Sequence, residues 1–83
     1  MKKYYIEMTI KESCDNYHIQ SKWFSKKETA KKWLAKNFDV IDFAELKVCI
    51  MSAKWEDGIY KDIIFEECIS AVEFYALKKT YKV

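Results

Sequence analysis

One glycine and no proline in 83 residues leave this chain a single place, Asp57-Gly58, where the backbone can turn through positive φ without crowding a side chain. Everything else must be built from regular elements joined by ordinary turns. No proline- or glycine-rich linker divides the sequence, so residues 1–83 are read as one domain. The same scarcity removes any glycine-rich phosphate loop.

On either side of that turn the apolar residues repeat every second position. Over residues 3 to 11, Tyr4, Ile6, Met8 and Ile10 take one face and Tyr5, Glu7, Thr9 and Lys11 the other, as in a half-buried strand. Ser13-Cys14-Asp15-Asn16 then supplies turn formers. Tyr17, Ile19, Ser21 and Trp23 alternate with His18, Gln20 and Lys22, which predicts a hairpin. Ser25 and Glu28 have capping-box spacing and predict a helix start, with Ala30, Trp33, Leu34 and Phe38 inward and an end at Asn37 or Asp39. After a connector over 39–44, Glu45 to Trp55 alternates with both faces fairly apolar, which suits an interior strand. Residues 59–65 return from the turn as a fourth strand. Ser70 and Glu73 repeat the capping spacing, with Ile69 and Phe74 placed for a hydrophobic staple, and predict a helix over 71–79. Lys78 and Lys79 in its last turn oppose the negative end of the helix dipole. The expectation is an α+β fold: a four-stranded antiparallel sheet with two helices on one face, in the order ββαββα.

Composition excludes several classes. A hydrophobic share of 51%, with 17% aromatic, is too apolar for a disordered chain. No run of about 18 apolar residues suggests a membrane span. Met1-Lys2-Lys3 leads into alternation rather than a signal-peptide core, so a cytoplasmic location is expected. Cys14, Cys49 and Cys68 are odd in number and widely spaced, with no Cys-x-x-Cys pair, so no zinc clip or closed disulfide framework is implied. Cys49 and Cys68 read as buried structural thiols, and His18, the one histidine, as an exposed strand residue. Glu66 and Glu67, adjacent in a strand, should point to opposite faces and so make no acid-base pair. No catalytic residue, metal ligand or cofactor site emerges, and no enzymatic activity is expected.

Charge carries the functional signal. Residues 1–38 hold nine lysines against four acids, residues 39–75 three against nine, and the last eight add three lysines. The net +2 thus hides a segregated distribution, which bears on partners rather than on fold. All fifteen basic residues are lysine, as an AT-rich genome would favour, so phosphates could be met only by ammonium point charges. Lys26, Lys27, Lys31, Lys32 and Lys36 make the first helix a basic ridge, flanked on the hairpin by Lys11, Lys22 and the aromatic Tyr5. The pattern is suited to nucleic acid, with Lys22, Lys27, Lys31, Lys32 and Lys36 as the candidate contacts. The hairpin and helix from Tyr4 through "YHIQSKWFSKKETAKKWLAKN" resemble the strand and helix run of the arm-DNA-binding domain of tyrosine-type phage integrases. That resemblance covers less than half the chain and implies groove contacts from the exposed strand positions Tyr5, Glu7, Thr9, Lys11, His18, Gln20 and Lys22. The acidic half suits a basic partner instead, through Asp57, Asp62, Glu66 and Glu67. In size, lysine bias and aromatic content the chain looks like the small inhibitor proteins of phages and mobile elements, anti-CRISPR proteins among them. That likeness implies a protein partner, such as a host nucleic-acid enzyme, bound through the acidic surface. The alternatives are a nucleic-acid-binding accessory domain using the lysine ridge, and pairing of acids with lysines within the molecule or across a homodimer.

Overall fold

The structure, a computed structural model, describes residues 1–10, 18–39 and 43–81, with the backbone alone for His18 and Ile19. Lys11, the turn Ser13-Cys14-Asp15-Asn16, Tyr17, Asp42 and Lys82 lie outside them. The elements are β1 (Lys2–Ile10), β2 (His18–Gln20), α1 (Lys27–Asn37), β3 (Leu46–Glu56), β4 (Ile59–Cys68) and α2 (Ala71–Tyr81). They make a small α+β fold with strands in the order β2-β1-β3-β4, neighbours antiparallel.

The expected four-stranded sheet is corrected. Three long antiparallel strands, β1, β3 and β4, carry the sheet, and among the described residues β2 adds His18–Gln20 on the edge of β1. Ser21 ends β2. Its Oγ accepts the Ile6 amide at 2.8 Å and donates to the Lys22 carbonyl at 2.9 Å, so a side chain takes up a backbone donor that a regular ladder would use. Beyond it the chain rejoins β1 only at Phe24, which exchanges two backbone bonds with Tyr4. The two ββα halves are therefore not equivalent.

The even-numbered positions of β1 and β3 face the helices. Ile6, Met8, Val48 and Ile50 join Phe24, Ala30, Leu34, Phe43, Ile69 and Phe74 in one core cluster. Phe43 stacks on Phe74 with ring centroids 4.3 Å apart. Lys78 ties the helices together by donating to the Ala35 carbonyl of α1 at 2.7 Å.

The helix starts differ from each other. Ser70 caps α2 as its spacing predicts, accepting the Glu73 amide at 3.1 Å, and Ile69 and Phe74 are both buried. For α1 the cap position is Lys26, without a side-chain bond, and the Ser25 cap is corrected: its Oγ accepts a hydrogen bond from Lys3 Nζ instead. Asp57 and Gly58, at φ of 51° and 78°, form the two-residue turn between β3 and β4. Positive φ at both central positions matches the type I′ geometry that follows the twist of the flanking strands.

Candidate functional site

Strand β4 departs twice from regular pairing, and these departures shape the surface. From the turn outward Glu56 pairs with Ile59, Trp55 with Tyr60 and Lys54 with Lys61. The register then slips by one residue between Ser52 and Lys54, and again between Ile50 and Met51. Asp62, at φ 54°, occupies the first bulge in the left-handed region that Asp tolerates better than most residues. Glu66 is the extra residue of the second, since Met51 pairs with Phe65 and Ile50 with Glu67.

The second bulge overturns the expectation that Glu66 and Glu67 point to opposite faces. Both carboxylates meet lysines of α1. Glu66 receives Lys2 at 3.1 Å and Lys27 at 3.4 Å, and Ser52 Oγ donates to it at 2.8 Å. Glu67 receives Lys31 at 2.8 Å and Lys27 at 3.5 Å, and Lys31 reaches on to Glu73 of α2 at 2.8 Å. The Ser52 hydroxyl and the Lys2 ammonium hold the Glu66 carboxyl below its ordinary range. Hydrogen bonding to Lys31 does the same for Glu67. Burial alone would lower Lys31, but its bonds to Glu67 and Glu73 hold it above its ordinary value. The result is an ionic seam joining sheet, α1 and α2.

The seam brings together residues from both candidate sites. Glu66 and Glu67 of the acidic set are bound to Lys27 and Lys31 of the basic set, whereas Asp57 and Asp62 stand exposed toward the turn end of β4. Lys22 lies over the Phe24 ring and Lys32 over the Tyr81 ring, and Lys36 is exposed in the last turn of α1. Tyr5 is buried, at 4% exposure, rather than displayed on an open strand. Trp23 covers it edge-on at 4.6 Å and stacks on Tyr60 at 3.6 Å, and Tyr60 in turn contacts Trp55 at 4.5 Å. These aromatic rings cover the sheet face opposite the helices.

Sequence reasoning missed two features. Strand β4 is an edge strand, and Ile59, Ile63, Ile64 and Phe65 along it are 57%, 54%, 51% and 58% exposed. Cys49 and Cys68 face each other across β3 and β4 with sulfurs 3.3 Å apart, and Cys68 is exposed, which corrects its expected burial. Counting back from the Asp57-Gly58 turn would set Cys49 opposite Glu66. Two bulges move the partner on by two residues, to Cys68.

Among the described residues no group of three or more His, Cys, Asp or Glu side chains could hold a metal ion, and no helix is long and apolar enough to cross a membrane. A surface depression is lined by Tyr4, Ser25, Lys26, Lys27 and Glu28. No protein-family model matches the chain, and neither curated proteins nor solved structures contain a match.

Proposed function

We propose that this chain is a small non-catalytic protein-binding module whose docking element is strand β4. The observation that supports this is an edge strand with four large apolar side chains each more than half exposed. Such an edge offers backbone donors and acceptors with apolar anchors beside them, the elements by which an extended segment of a partner protein adds to a sheet. The two bulges leave Ile63, Ile64 and Phe65 as the regular stretch between them, so the added segment would be short. Charge plays the smaller part. Glu66 and Glu67 hold lysines of their own chain, and freeing them to meet a basic groove would break the seam. An inhibitor of a nucleic-acid enzyme would be one such module, and its acidic contacts would come from Asp57 and Asp62, which flank the apolar stretch on the turn side.

Affinity capture from the native host with three forms of the full chain tests this: wild type, Ile64→Lys with Phe65→Lys, and Glu66→Gln with Glu67→Gln, each first checked for folding by circular dichroism. The strand variant should lose the wild-type partner by roughly tenfold or more, as removal of a buried apolar anchor does. The carboxylate variant should retain it. The reverse pattern would return the function to the acidic surface.

A further inference from the structure

We propose that Cys49 and Cys68 form a dithiol modification site that a low-molecular-weight disulfide converts into a cross-strand disulfide clasping β4 to β3. The two residues are direct partners in the antiparallel register, and their sulfurs already lie 3.3 Å apart. Directly opposed residues on antiparallel strands have Cβ atoms about 4.5–5.5 Å apart, and a disulfide needs about 3.5–4.5 Å, so closure requires only a small approach of the strands. Neither thiol is held by a metal cluster among the described residues. The Ile69 amide, next in sequence to Cys68, already bonds to the Val48 carbonyl, next to Cys49, so the backbone is fixed on that side of the pair.

The order of events follows from exposure. Cys68 is exposed and Cys49 half-buried, so Cys68 meets the reagent first. Its thiolate attacks one sulfur of the small disulfide, the S–S bond of the reagent breaks, and one small thiolate leaves and takes up the proton that Cys68 lost. Cys49 as thiolate then attacks the Cys68 sulfur, the Cys49–Cys68 bond forms, and the second small thiolate leaves with the Cys49 proton. Two protein thiols are oxidised and one disulfide is reduced to two thiols. The Cys49 thiol begins as a reluctant nucleophile, pushed up to about 11 by burial and then by its hydrogen bond and charge interaction with Cys68; Glu7 adds to this and Lys47 opposes it. Capture of Cys68 in the mixed disulfide removes its charge interaction with Cys49 and leaves burial, the largest cause, in place.

The test uses the full chain carrying Cys14→Ser, treated with glutathione disulfide under native conditions and followed by intact mass, thiol titration and tryptic mapping. The expected product has lost two hydrogens and both titratable thiols, with residues 48–54 joined to residues 62–78. Adding Cys49→Ser should halt the reaction at a glutathione adduct on Cys68, and adding Cys68→Ser should leave Cys49 largely unmodified. In wild type the same cross-link should form with Cys14 left free. A stable glutathione adduct on the Cys14→Ser chain without the cross-link, two surviving thiols, a bond between chains, or a wild-type bond to Cys14 would each overturn the proposal.

Discussion

Ser25 and Ser70 stand in the same local sequence pattern, and only one of them caps a helix. The difference lies in what surrounds each hydroxyl. Ser70 follows the buried Ile69, which fixes the entry of the chain into α2 and aims the oxygen at the Glu73 amide. Ser25 follows Phe24, whose two backbone bonds to Tyr4 hold the chain against β1, and there Lys3 claims the hydroxyl. Ser70→Ala should therefore cost about 1 kcal/mol. Ser25→Ala should stay within about 0.5 kcal/mol, the range of ordinary surface changes. Urea denaturation of the two variants in parallel measures the contrast. The serine and glutamate spacing was legible in the sequence; competition from a lysine 22 residues away was not.

At the scale of elements, the hairpin of β3 and β4 was legible because its turn depends on one residue. Gly58 sits at φ 78°, and a Cβ built on it meets nothing within 4 Å, so the cost of a side chain there is backbone strain alone. Gly58→Val should destabilise the fold by about 1–2 kcal/mol, the penalty of a left-handed conformation, and Gly58→Asn by less. Thermal melts of the pair check both the size and the order. A clash-driven loss would instead grow with side-chain volume, whatever the backbone preference. The bulges and the end of β2 at Ser21 were not legible. A bulge is a decision between strands, and alternation within one strand carries no record of which partner residue it skips. The loss of regular pairing at Ser21 likewise depends on a hydroxyl reaching Ile6, 15 residues back. Alternation also hid the exposed edge, because Ile63, Ile64 and Phe65 look like core until the strand order places β4 outermost.

Across the whole molecule, the two electrostatic halves so visible in the sequence lie against each other along the seam from Lys2 to Glu73. The charge map was legible, but its internal neutralisation required the tertiary fold. The seam also makes stability depend on pH, with a sign set by the shifts. Glu66 and Glu67 titrate below their ordinary value of 4.5 in the fold, so their stabilisation is complete above that pH and is lost as the pH falls through the folded values. Lys31 titrates above 10.5, so its contribution is complete below that pH and is lost as the pH rises through its folded value. Denaturation midpoints should be flat through neutrality and fall at both extremes. Replacing Glu66 and Glu67 by Gln should flatten the acid limb, and an unchanged acid limb would show that other carboxylates govern it.

The two bulges in β4 make that strand sensitive to arithmetic. Each slip alone would exchange the faces of every residue beyond it, and the pair together restores the phase, so that Cys68 arrives on the same side as Cys49. A one-residue insertion or deletion between Ile59 and Cys68 would thus do more damage than most substitutions there. It would turn carboxylates away from their lysines and part the two sulfurs while leaving the composition of the strand almost untouched.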